Sequence, residues 1–208
     1  MILADFQKKA VDSLTKSFLT LWQTNNYQLP LVFKAPTGAG KTIMMAEFLR
    51  TLDGNYHFDD DKAYIWISFG GDDSYLQSKE KLYKYFNNGT DMTLRDKNDL
   101  SLKELPKNNI FFINWSKIKS STKDGKVLRK ESELTSGDYG VFDEFIINTK
   151  NKRDLILIID EAHTETSTTL AEEVIDLINP RIIIKLLRKE VTYIVVYVVS
   201  LITNFFTR

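Results

Sequence analysis

The chain has 208 residues, of which 43% are hydrophobic and 27% charged, enough to bury one α/β core but too few for two full lobes of that kind. Its 28 basic and 28 acidic side chains cancel, so no global positive field advertises nucleic-acid binding and any such contact must be local. The absence of cysteine excludes disulfides and thiolate metal sites and suits a reducing cytoplasm, the expected compartment for a chain whose first five residues lack the basic start of a secretion leader.

In chain order, Phe6, Ala10, Val11, Leu14, Phe18, Leu21 and Trp22 recur at the spacing of one helical face. Leu31-Val32-Phe33 is a short apolar run fit for a buried strand. Between it and a second helical pattern (Met44, Met45, Phe48, Leu49, Leu52) lies Ala35-Pro36-Thr37-Gly38-Ala39-Gly40-Lys41-Thr42. A loop that wraps a triphosphate must aim several backbone N–H groups at one set of oxygens. Glycine is needed where a side chain would block approach or where φ must be positive. Gly38 and Gly40 meet that need, Lys41 can reach the β- and γ-phosphates, and the Thr42 hydroxyl can ligate Mg²⁺ at the start of a helix whose dipole faces the anion.

A second strand is expected from Ala63 to Phe69, followed by a Gly70-Gly71 turn and a helix carrying Tyr75, Leu76, Lys79, Leu82, Tyr83 and Phe86. A third strand starts at Ile110. The stretch 116–153 reads as a polar insertion, with a turn or mobile tip at 120–125. Leu155-Ile156-Leu157-Ile158-Ile159 is then wholly apolar, as a strand buried on both faces of a parallel sheet should be, and it ends in Asp160-Glu161-Ala162-His163. The carboxyl end of such a strand is where parallel sheets bind ligands. Asp160 can therefore hold Mg²⁺ while Glu161 orients and deprotonates the attacking water. His163 has two readings, a polar residue at a strand-to-helix junction or a group coupling the phosphates to the rest of the machine. A helix through Leu170, Val174, Leu177 and Ile178 ends at Asn179-Pro180, and Arg181-Ile182-Ile183-Ile184 makes a fifth strand. The alternation predicts a doubly wound parallel sheet with helices on both faces and right-handed crossovers.

The loop at residues 35–42 and the Ile158-Ile159-Asp160-Glu161-Ala162-His163 run resemble motifs I and II of superfamily 2 helicases and translocases of the DEAH type. The nearer likeness is to the ATPase subunit of type III restriction enzymes and to helicase/UvrB-like domains. Asp5-Phe6-Gln7-Lys8-Lys9-Ala10 is similar to the family's glutamine motif, which implies that Phe6 and Gln7 lie at the adenine. Tyr64-Ile65-Trp66-Ile67-Ser68 resembles the strand leading to motif Ia, and Phe111-Phe112-Ile113-Asn114-Trp115 the next family strand. The resemblance implies a RecA-like P-loop NTPase fold over residues 1–186, the first helicase lobe. It also implies ATP and Mg²⁺ as cofactors, DNA, double- or single-stranded, as partner, and a second lobe or a modification/specificity subunit in the intact system.

The family's motif III, Ser/Thr-Ala-Thr, is expected after Leu186, where this chain reads Leu187-Arg188-Lys189-Glu190. Residues 191–206 are then almost wholly apolar and β-branched. Three readings stay open for them: a frameshifted or truncated continuation, a strand or hairpin of the sheet, or a membrane segment. A run of about sixteen residues falls short of the roughly twenty that a spanning helix needs, so no membrane is favoured. Without an arginine finger from a second lobe, slow ATP hydrolysis is expected of the isolated chain. An inactive nucleotide-binding fragment and a small-molecule P-loop kinase are the alternatives.

Overall fold

The computed structural model describes residues 3–24, 30–56, 58, 61–71, 74–86, 90–118, 128–129, 139–161, 169–189 and 194–198. Its centre is a seven-stranded sheet in the order β3-β4-β2-β5-β6-β1-β7. The strands are β1 (Pro30–Pro36), β2 (Lys62–Ser68), β3 (Thr93–Arg95), β4 (Asn109–Asn114), β5 (Asp154–Asp160), β6 (Ile182–Lys189) and β7 (Val195–Val198). The first six pair in parallel and only β7 runs antiparallel, against β1.

Helices cover both faces, as the alternation of elements predicts. On one side lie α1 (Asp5–Gln23), α2 (Lys41–Asn55) and α3 (Ser74–Phe86). Their Leu14, Phe18, Phe48, Leu49 and Leu82 pack on Phe33, Trp66, Phe112, Ile158 and Ile184 of the sheet. The other side carries α4 (Trp115–Ile118), α5 (Val141–Lys150) and α6 (Thr169–Ile178), whose Phe142, Phe145, Ile146 and Val174 pack on Ile65, Phe111, Leu157 and Ile183. Central strands β2 and β4 are buried at every residue, which is why they read as continuous apolar runs instead of alternating ones.

Several expectations need correction. Phe6 does not join the buried face of α1; it is 54% exposed, because the stripe that meets the core begins one turn later at Ala10. Tyr83 likewise points outward from α3, while Tyr75, Leu82 and Phe86 are buried. Helix α5 lies inside the stretch that reads as polar, and three of its apolar residues are core. The tip expected at 120–125 lies outside the described residues. β3 escaped the sequence reading because it has three residues and no apolar run. β6 continues through Lys189, past the point where the family pattern lapses. Of the 191–206 run, Val195–Val198 forms β7, paired with Leu31 to Lys34, while 191–193 and 199–206 lie outside the described residues. Among the described residues, no helix is long and apolar enough to cross a membrane.

Candidate nucleotide-binding site

The loop between β1 and α2 has the backbone that its glycines foretell. Gly38 and Gly40 have φ of 80° and 85°, left-handed values that any L side chain resists. A tight turn closes where the Ala39 N–H donates to the Pro36 carbonyl at 3.2 Å, and Gly40 is the N-cap of α2. The first turn of α2 thus lines a cavity of about 510 Å³, and the N–H groups of a helix's first turn have no intrahelical partner, the arrangement that favours an anion. Pro36, Thr37, Gly38, Gly40, Lys41, Thr42, Asp160 and Glu161 all line this one cavity.

Two partly buried, opposite charges define its electrostatics. The Lys41 Nζ is buried without a hydrogen-bond partner. Burial lowers its pKa from the usual lysine value, Asp160 opposes that shift, and Arg188 adds to it. Asp160 stands at the carboxyl end of β5. Burial raises its pKa above the ordinary aspartate value, Lys41 counteracts this, and Glu161 reinforces it. Its carboxylate accepts one bond from the Ser78 hydroxyl of α3 at 3.2 Å. Lys41 has no hydrogen-bond partner among the described residues and Asp160 accepts from the Ser78 hydroxyl, so the site favours a ligand that brings an anion to Lys41 and a cation to Asp160.

Glu161 occupies a left-handed position, φ 62°, as the chain leaves β5. Its N–H donates to the Leu186 carbonyl of β6 at 3.1 Å, which fixes the backbone, and its carboxylate pairs with Arg188. Gly70 gives it room: a Cβ there would lie 3.2 Å from the Glu161 Oε2. Asn114 holds that glycine turn by donating to the carbonyls of Gly70 and Gly71 at 3.0 and 2.9 Å. His163 lies outside the described residues.

Phe6, Gln7 and Ala39 meet on the far side of the loop. Gln7 Nε2 donates to the Ala39 carbonyl at 2.9 Å, and its Oε1 accepts from the Ala4 N–H at 3.0 Å, one of the unpaired donors at the start of α1. Phe6 and Ala39 line a second cavity of about 470 Å³, mostly apolar, with Ala10, Pro36, Ile194 and Val196. The structure therefore brings eight of the twelve predicted residues to the first cavity, places Phe6 and Ala39 at its neighbour with Gln7 bonded to Ala39, and leaves His163 outside the described residues.

Sequence reasoning missed Ser78, Gly70 and Arg188. Ser78 had a signal, since a small polar residue stands on the buried stripe of α3 between Tyr75 and Leu82. Arg188 had one too: residues at period two along β6 alternate between the faces of the sheet. Ile182, Ile184 and Leu186 face α1–α3, so Arg188 reaches the phosphate-loop side.

A family model described as type III restriction enzyme, res subunit, matches residues 1–186. Among solved structures, a nuclease-deletion mutant of the Type ISP restriction-modification enzyme LlaGI, in complex with a DNA substrate mimic, is similar at 13% identity and a TM-score of 0.46. The match covers 99% of this chain and 19% of that one, so the chain spans about a fifth of its length. No curated protein matches. The chain belongs to the type III restriction enzyme res-subunit family, whose helicase-type ATPase lobe has the RecA-like α/β architecture described above.

Proposed function

We propose that the chain binds Mg²⁺-ATP at the cavity between α2 and β5 and hydrolyses it as the first lobe of a DNA helicase or translocase. The observation that carries this reading is the buried Lys41 Nζ, without a hydrogen-bond partner among the described residues, beneath a glycine loop and across the cavity from the partly buried Asp160 carboxylate. Lys41 neutralises phosphate charge, and the N–H groups of Gly38 and of Gly40 to Thr42 cradle the oxygens.

The residues present also fit Mg²⁺. Thr42 and Asp160 border the same cavity, and among the described residues there is no cluster of three His, Cys, Asp or Glu side chains that would make an all-protein cage. That suits an ion that keeps several waters and takes phosphate oxygens as ligands. Thr42 and Asp160 would hold it, and it would supply charge neutralisation at the phosphates. Glu161 accepts the proton of the attacking water on its carboxylate. Phe6 and Gln7, beside the apolar second cavity, are the adenine contacts in this reading. His163 couples the phosphate site to the rest of the machine.

Family membership supports DNA as the nucleic-acid partner and a second lobe as the source of an arginine finger, worth on the order of 10³–10⁵ in rate, so the chain alone should turn over slowly. The experiment is product analysis with Glu161→Gln. Wild type should release free phosphate from ATP. The variant should lose on the order of 10²–10⁴ of that rate while still binding ATP. A phosphorylated small-molecule acceptor would point to a kinase instead, and bound ATP with no phosphate release, with or without DNA and a second lobe, to an inactive fragment.

A further inference from the structure

We propose that Arg188 is a phosphate-contacting arginine parked on Glu161, and that the terminal phosphate of bound ATP draws its guanidinium away and frees the carboxylate for its task as base. The inference rests on the ATP reading above and adds to it a residue within the chain that senses the third phosphate.

Position supports it first. β6 pairs with β1 in register Ala35↔Arg188, so Arg188 stands beside the residue that opens the phosphate loop. The alternation of β6 sends its side chain to the α1–α3 face, where it lines the same cavity as Lys41 and Thr42. Leu187, one residue earlier, packs on the opposite face.

Charge supports it next. The guanidinium cannot give up its proton, and its presence makes the Lys41 ammonium less favourable. Two cations held side by side, with Lys81 also on the cavity wall, form a site that gains most when an anion arrives. Arg188 pairs with the Glu161 carboxylate. Its side chain is 55% exposed, and a pair so open to solvent is weakly held. A phosphate offers the planar guanidinium the stronger, two-pronged bonds.

Glu161 is the fixed partner of this pair. Its backbone is tied to Leu186 and Gly70 closes against its carboxylate, so the exchange moves the arginine and leaves the base where it stands. ADP, with no terminal phosphate, leaves the pair closed.

The test is a titration of wild type, Arg188→Ala, Arg188→Lys, Glu161→Gln and the Glu161→Gln/Arg188→Ala double variant with Mg²⁺-ATP and with Mg²⁺-ADP. Arg188→Ala should weaken ATP binding about tenfold or more and ADP binding less than about twofold, with Arg188→Lys between wild type and Arg188→Ala. Glu161→Gln, which unparks the arginine, should tighten ATP binding when Arg188 is present and leave it unchanged in the Arg188→Ala background. Equal losses for the two nucleotides, tighter ATP binding by Arg188→Ala, or the same Glu161→Gln effect in both backgrounds would overturn the proposal while leaving the ATP site intact. Wild type that binds no ATP would overturn the functional reading itself, and this inference with it.

Discussion

A Cβ at Gly40 would meet the Gln7 Nε2 at 2.7 Å, on a backbone whose φ of 85° already disfavours any side chain. The residue thus serves two contacts, the turn of the phosphate loop and the close seat of Gln7 on Ala39. Gly40→Ala should cost about 1–3 kcal/mol of stability and weaken ATP binding, measured by thermal melting and nucleotide titration. Gly38 has the same backbone but open space around it, so Gly38→Ala should cost less. The positive-φ turns at Gly38 and Gly40 were legible in the sequence because spacing in one short loop dictates them; the close seat of Gln7 was not. At Arg188 only the face was legible, from period two along β6; its pairing depends on the register of β6 against β1 and on a partner 27 residues away, neither of which local spacing reveals.

At the scale of elements, α2 and α3 are joined by a polar network above their apolar contact. Arg50 bonds the Glu47 carboxylate at 2.6 and 2.9 Å, and the Tyr85 hydroxyl of α3 donates to the same carboxylate. Partial burial and that bond to Glu47 push the Tyr85 pKa from 10.0 up to about 12. Between these values the folded chain keeps a proton that the unfolded chain has released, so this contribution is complete below pH 10 and is lost as pH rises towards about 12. Tyr85→Phe should abolish that part of the alkaline stability loss and cost about 1 kcal/mol at neutral pH, read as a Tm lower by about 2–4 °C. Sequence periodicity located α2 and α3 well, since each carries a continuous buried stripe. It failed for α5, a ten-residue helix whose Phe142, Phe145 and Ile146 follow a long polar and charged stretch, and for β3, which is too short to have a period.

Across the whole molecule, Arg181 ties β5 to α1 at the end of the sheet opposite the β1–α2 loop. Its guanidinium bonds Asp154 of β5 at 2.5 Å and the Trp22 carbonyl of α1 at 2.8 Å, and it lies 4.0 Å from the centre of the Trp22 ring, just before β6 begins. Arg181→Ala should destabilise the fold by about 2–4 kcal/mol without altering nucleotide affinity of the folded protein, which denaturant melts and titration would separate. At the sheet edge, β7 lays Val196 and Val198 against the α1–α2 core, and Tyr197 accepts the Lys34 ammonium at 5.1 Å. The apolar run thus has a packing role over Val195–Val198, which the sequence left open among three readings because a β-branched stretch suits each of them.

The central claim is that Lys41 marks the phosphate site, and calorimetric titration of wild type and Lys41→Ala with Mg²⁺-ATP tests it most directly. The account predicts one site per wild-type chain and at least about tenfold weaker binding by the variant, the scale of losing a charge-assisted contact. The variant should melt at a temperature equal to or above that of the nucleotide-free wild type, because a buried cation disfavoured by desolvation has been removed. Unchanged ATP affinity in a folded Lys41→Ala variant would contradict it.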